Sequence, residues 1–274
     1  MKTMIDLRME YAVADADPAL LAITAAQTEG QTVLSSEIDA SDTDLRWITG
    51  ETGVGERVWA HVRTGRLSLH YRATVEITRP VVPLQTLRAT SWDALPSEVL
   101  TYVRPSRYCP SDLFVAFVAT EFAHLEGGAK IAAMAAWTGA ALTYVPGSST
   151  ATTTAVDTFV TRQGVCRDYA HLLCSLARAA NIPARYTTGY GPDVHPQDFH
   201  AVAEVWLDGN WHIVDPTGMS TAEDLAIIGV GRDAGDVAFM ETEKWASFVS
   251  QSIHVWKDMR GAPRAWAHPI RSDA

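Results

Sequence analysis

The chain has 274 residues, 47% of them hydrophobic, with a net charge of −10 and a pI of about 5.3. That length and apolar content allow one large or two modest domains with a real core. An acidic balance without any basic run argues against nucleic acid or an anionic membrane surface as partner, and no apolar run approaches transmembrane length.

Three cysteines, an odd number at irregular spacing, give neither a disulfide framework nor the paired spacing of a zinc site. No metal and no cofactor is expected. Asp6, Arg8 and Glu10 interrupt any apolar leader near the N-terminus, so a reduced, cytoplasmic setting is the expectation.

From Met4 to Pro80 the pattern is that of strands. Ile5, Leu7, Met9, Tyr11 and Val13 alternate with polar residues, as do Leu67, Leu69, Tyr71, Ala73, Val75 and Ile77. Arg57 to His61 reads likewise. Turns are marked at Ala16-Asp17-Pro18, Gly30, Gly50, Gly53-Val54-Gly55 and Thr64-Gly65. Short strands between such turns predict a sandwich-like domain over residues 1–80. Residues 81–110, richer in proline and less periodic, read as a linker.

Helical patterns follow. Ser111 can cap a helix over Asp112 to Ala123, Gly127-Gly128 breaks before Lys130 to Leu142, and Thr154 with Asp157 makes a capping box for a short helix to Arg162. After Gly164, apolar residues at Tyr169, Leu172, Leu173, Leu176, Ala177 and Ala180 fall at helical spacing, with Asn181 and Pro183 ending the run. Cys166 then sits at the first turn, among unpaired N–H groups and the positive end of the helix dipole. That setting favours the nucleophilic thiolate. On this motif alone a buried structural thiol explains the cysteine equally well. Cys174, in mid-helix, has only that structural reading.

His200 to Leu207 alternates and Trp211 to Val214 is a second β-prone run, with Asp208-Gly209-Asn210 between them as a hairpin signal. Asp208-Gly209 as the two-residue loop pairs Leu207 with Asn210, Trp206 with Trp211 and Glu204 with Ile213, and sets Val202 opposite Asp215. His200 and Asp215 are then diagonal neighbours on one face, within reach of each other. A loop one residue longer would separate them. His171, His195 and His212 compete as bases, but parity and position favour His200. Nucleophile Cys166, base His200 and orienting Asp215 together make a constellation for nucleophilic acyl chemistry. A second oxyanion donor beside the Cys166 N–H is needed, and Gln163, Tyr108 and Trp137 are the candidates. Asp168 reads as a helix cap or as a partner for Arg167. Trp206 and Trp211 either line a cleft or pack across the hairpin.

The run Gly-Val-Cys-Arg-Asp-Tyr-Ala-His-Leu at 164–172, then Ile182-Pro183-Ala184-Arg185-Tyr186 with Gly189-Tyr190, Phe199-His200-Ala201 and Trp211-His212-Ile213-Val214-Asp215-Pro216-Thr217 resembles the transglutaminase-like cysteine enzyme family, most of all a bacterial branch described as cysteine proteases. Weaker echoes lie at Pro105 to Cys109 and Val230 to Asp233. The resemblance implies a papain-like core at residues 111–260 in which Cys166, His200 and Asp215 act in chain order. An N-terminal β-domain is implied as well. The expected fold class is therefore α+β, a transglutaminase core preceded by a β-sandwich-like domain, with 261–274 as a tail. The core helices are expected to pack on Arg185–Tyr190, the hairpin, Ala226–Val230 and Phe248–Trp256.

The implied activity is acyl transfer on amide bonds of a protein, peptide or small amide through a thioester, with water or an amine as acceptor. A non-catalytic peptide-binding scaffold with the same fold, and a metal hydrolase built on His200, His212 and Asp215, are the competing classes. The opposite parity of His212 weighs against the metal reading.

Overall fold

The computed structural model describes residues 2–14 and 18–258. Ala16 and Asp17 of one expected turn, and the expected tail 261–274, lie outside the described residues. The architecture is mixed: a sandwich of two four-stranded antiparallel sheets abuts a layer of helices on a third four-stranded sheet.

The sandwich is built from β1 (Lys2–Val13), β2 (Pro18–Leu21), β3 (Gln31–Ala40), β4 (Thr43–Thr49), β5 (Glu56–Val62) and β6 (Arg66–Ile77). Ile5, Leu7, Met9, Tyr11 and Val13 of β1 are buried, as are Leu67, Leu69, Tyr71, Ala73, Val75 and Ile77 of β6 and Val58, Ala60 and Val62 of β5. Period-two patterning thus directs one face of each sheet inward, each fully buried large side chain contributing about 1.5–3 kcal/mol. β3 and β4 carry no such alternation, because most of their residues are exposed. They form by pairing with β6 and β5 respectively.

The second half holds α1 (Val115–Glu121), α2 (Gly127–Ala141), β7 (Thr143–Tyr144), α3 (Ala155–Thr161), β8 (Gln163–Gly164) and α4 (Cys166–Ala179). It continues with β9 (Ala184–Tyr190), β10 (His200–Leu207), β11 (Asn210–Val214) and β12 (Ala226–Gly231), which form one antiparallel sheet in the order β11-β10-β9-β12. The Thr154–Asp157 capping box opens α3, and Asn181 closes α4 at φ 58°. Ser111 opens a 3-10 turn over Ser111–Phe114 rather than capping a longer helix. Gly127-Gly128 begins α2 instead of breaking before it. A Cβ on Gly128 would collide with the Leu84 carbonyl, so the glycines admit the preceding segment against the helix start.

The last two strands, β13 (Met240–Thr242) and β14 (Ala246–Lys257), leave the helical half. The run at Phe248–Trp256 is expected to pack beneath the core helices together with the hairpin strands. Instead β14 pairs along almost the whole of β1, and β13 pairs with β2. The reason is partner availability: β1 has a free edge long enough for a twelve-residue strand, and alternation alone does not specify which sheet a strand completes.

One buried cluster runs continuously from the sandwich into Ala170, Tyr186, Tyr190, Ala201, Ala226 and Ile228. Tyr190 stacks on Tyr71 and donates its hydroxyl proton to the Ile23 carbonyl at 2.7 Å. Gln31, fully buried, donates to the Ala26 and Ile227 carbonyls and accepts from the Ile227 N–H. Gly55, at φ +71°, lies so close to β12 that a Cβ would collide with the Ile228 carbonyl oxygen, whereas Gly53, at φ +79°, faces open space. Gly53→Ala should therefore cost only the left-handed strain, about 1 kcal/mol. Gly55→Ala should cost at least about 3 kcal/mol by adding the collision. Urea unfolding of both variants checks this, and equal losses would show that the two halves are not in tight contact there.

Candidate active site

Cys166 is the first residue of α4, and the helix begins there because its start is tied down. The buried Asp168 carboxylate accepts the Val165 N–H at 2.9 Å through one oxygen and the Arg167 guanidinium at 3.1 Å through the other. Both readings of Asp168 hold at once. Gly164 is required for space rather than for a left-handed φ: a Cβ there would stand 2.7 Å from the Asp168 Cβ. Cys166 is partly buried, with its sulfur 4.0 Å from the Phe199 carbonyl oxygen.

His200 arrives on β10. The hairpin adopts the register expected from Asp208-Gly209, with Leu207 opposite Asn210, Trp206 opposite Trp211 and Glu204 opposite Ile213. Asp208 and Gly209 both take positive φ, as a two-residue hairpin loop demands. Asp215 follows the end of β11, and its Oδ2 lies 2.7 Å from His200 Nε2. The two side chains are 0% and 1% exposed.

A turn after β11 is devoted to the carboxylate. Oδ1 accepts from the Thr217 N–H and hydroxyl, and Oδ2 accepts from the Ser220 N–H and hydroxyl as well as the imidazole. Burial opposes the charge on Asp215, yet His200 and these donors hold its pKa below the usual carboxylate value. Burial likewise opposes charge on His200, but hydrogen bonding and negative charge from Asp215 and Cys166 raise its pKa to about 9. The other ring nitrogen, Nδ1, is buried without a hydrogen-bond partner among the described residues.

The remaining sequence candidates are placed elsewhere. Tyr108 donates its hydroxyl to the Ala151 carbonyl at 2.8 Å and stacks on His171. Trp137 stacks on Phe159 beneath the Arg162 guanidinium. Gln163 is exposed on β8. His171 accepts the Ala234 N–H, and burial first, then the charges of Arg167 and Arg178, keeps its pKa well below the ordinary value. His212 bonds the Leu207 carbonyl, and His195 is exposed in the loop before His200. Trp206 and Trp211 contact one another edge to face and pack with Leu95, Val99 and Val103, so they cover the sheet rather than line a cleft. Cys109 and Cys174 are fully buried core thiols.

One group at the site is not marked by the sequence pattern. Tyr144 sits on β7, which runs parallel to β8 and pairs Tyr144 with Gly164, two residues before the cysteine. Its ring packs against Tyr169 of α4, with centroids 6.0 Å apart. Burial, then the negative charge of Cys166, raises its pKa above the ordinary phenol value, so it remains a proton donor. The β-prone run Leu142 to Val145 before Pro146-Gly147 is the available signal.

A histidine whose pKa rises on folding stabilises fully below its unfolded value and loses that contribution as pH passes through its folded value. Asp215 has the opposite sign, its contribution being lost on acidification. The unfolding free-energy difference between wild type and His200→Gln should therefore shrink by about 3 kcal/mol between pH 6 and pH 10. A difference that stays flat over that range contradicts the assigned environment.

Comparison with known proteins places this geometry in a family. Residues 117–216 match the family model of the transglutaminase-like superfamily. The crystal structure of a Cytophaga hutchinsonii protein described as a "putative cysteine protease" superposes with a TM-score of 0.89 at 30% identity, covering 98% of this chain and 94% of that one. An uncharacterized Mycobacterium leprae protein is 33% identical over 149 residues, so the alignment spans about half of that relative, 52% of its length. A Pseudomonas aeruginosa protein-glutamine gamma-glutamyltransferase is 40% identical over 70 residues, 22% of this chain and 10% of that protein. No helix among the described residues is long and apolar enough to cross a membrane. With residues 117–216 and nearly its whole length matched in this way, the chain belongs to the transglutaminase-like superfamily.

Proposed function

We propose that this chain is a cysteine-dependent acyl-transfer enzyme that acts on amide bonds through a thioester on Cys166. The observation that carries the reading is the buried imidazole of His200, fixed to Asp215 at 2.7 Å through one nitrogen, with Asp215 and Cys166 together raising its pKa. Such an arrangement supplies a nucleophile, a base and a group that orients the base.

In this reading the Cys166 sulfur attacks the amide carbonyl while His200 carries the proton. The tetrahedral adduct collapses as His200 protonates the leaving nitrogen, which departs as an amine. Asp215 holds the ring orientation and offsets the imidazolium charge without itself taking the proton. Water resolving the thioester makes the enzyme a protease or amidase, and a primary amine makes it a transglutaminase. The names borne by the Cytophaga and Pseudomonas relatives support these two outcomes respectively. The segment from Ser111 to Gly231 would hold this chemistry, with the sandwich, completed by β13 and β14, as support. A protein, peptide or small amide is the substrate class, and the three free thiols fit a reducing, cytoplasmic setting.

The test is intact mass after incubation with a glutamine- and lysine-bearing casein substrate and a tagged primary amine. Tagged product identifies transfer and cleaved product identifies hydrolysis. Loss of either in Cys166→Ala is required. Cys166→Ala and His200→Ala should each reduce turnover by about 10⁶-fold, and Asp215→Ala by about 10⁴-fold. Turnover that survives in Cys166→Ala would overturn the proposal.

A further inference from the structure

The chain just before His200 carries a carboxylate that the chemistry proposed above does not use. Asp198 accepts the Phe199 N–H at 2.8 Å and the Gln251 side-chain amide at 2.9 Å, both on Oδ1. Its Oδ2 accepts from no group among the described residues, and no lysine, arginine or histidine among them pairs with it. Asp44, Asp193 and Asp236 differ in this respect, each meeting an arginine or a lysine. Arg167, next to the nucleophile, is taken by Asp168 and the Thr150 carbonyl. Asp198 is exposed, yet its neighbours desolvate it enough to raise its pKa above the usual carboxylate value, against the opposing effect of its two hydrogen bonds. A carboxylate in that condition is stabilised by an incoming cation.

Short links fix this carboxylate relative to the sulfur. The Phe199 that donates its N–H to Asp198 has its carbonyl oxygen 4.0 Å from the Cys166 sulfur. Backbone bond lengths then keep the Asp198 Oδ1 within about 11 Å of that sulfur. An extended lysine stem spans about 6 Å from Cα to Nζ, so a residue whose carbonyl meets the sulfur can bring its own ammonium to Asp198. β14 supplies the surroundings. Gln251 lies opposite Met9 and Phe248 opposite Tyr11, so the bulge between these pairs leaves Gln251 and Phe248 on one face of the strand. The Phe248 ring meets Tyr11 edge to face and is 65% exposed. The Gln251 Oε1 is buried and has no donor among the described residues. Two acceptors without a counter-charge, beside a strand that presents an open aromatic ring, suit an ammonium or guanidinium group.

We infer that Asp198 is a specificity-determining residue that binds the cationic side chain of a lysine or arginine on the acyl donor, at the residue whose carbonyl Cys166 attacks. This rests on the acyl-transfer reading of Cys166. The cation belongs to the donor and not to an amine acceptor. An amine kept protonated by a carboxylate has no lone pair with which to resolve a thioester. The net charge of −10 adds a general attraction for basic substrates.

Two substrates of nearly equal shape test this: the p-nitrophenyl esters of Nα-acetyl-arginine and Nα-acetyl-citrulline, which differ in charge. Wild type should turn over the arginine ester with a kcat/KM about tenfold above that of the citrulline ester, the size of one hydrogen-bonded charge pair. High salt should shrink the difference. Asp198→Asn keeps an oxygen for Gln251 and the Phe199 N–H while removing the charge. It should abolish the preference and leave the citrulline ester within roughly twofold of wild type. An unchanged rate of Cys166 alkylation by iodoacetamide shows that the variant is folded at the site. Equal kcat/KM values in wild type, or a preference that survives in Asp198→Asn, would overturn the subsite and leave the acyl-transfer reading standing. Absence of Cys166-dependent turnover of either ester would overturn that reading, and the subsite with it.

Discussion

The site depends on a histidine and an aspartate held together out of water. His200 and Asp215 are almost wholly buried and 2.7 Å apart. Withdrawing such a pair from solvent costs on the order of several kcal/mol per ion, which only close geometry and further hydrogen bonds offset. The turn from Asp215 to Ser220 supplies those bonds, so the carboxylate is fully occupied and cannot rotate away. An imidazole fixed by one nitrogen presents the other in a constant direction.

The sandwich contributes to this positioning although it carries none of the three side chains. The segment immediately before His200 is clasped by β14: Gln197 exchanges two hydrogen bonds with the Val255 backbone, and Gln251 donates to Asp198. Phe199 stacks on Phe239 and packs at a tilt against Tyr190, and its carbonyl faces the Cys166 sulfur. The C-terminal strand, by completing the β1 sheet, therefore also fixes the approach of the chain to His200. This accounts physically for a continuous core between the two halves.

Much of this was legible in the residues. Asp208-Gly209 fixes the hairpin register, because the twist of two strands admits that loop only at positive φ, and the register brings His200 to Asp215. The Thr154–Asp157 box and the spacing after Cys166 mark two helices, because capping and amphipathicity are local. What was not legible depends on distant partners. β3 and β4 are exposed on most of their length and hide their strand character. The destination of β14 is set by the free edge of β1. Tyr144 belongs to a two-residue strand whose significance appears only when β8 lies beside it.

The most direct test of the buried pair is ¹⁵N NMR of the His200 ring as a function of pH. Both ring nitrogens should be protonated at neutral pH. A low-field Nε2 proton should be present that disappears in Asp215→Asn, and the ring should titrate near the value of about 9 that Asp215 and Cys166 impose. A neutral ring at pH 7 that titrates at or below the ordinary histidine value would contradict the account, since neither the carboxylate nor the sulfur would then be governing the imidazole.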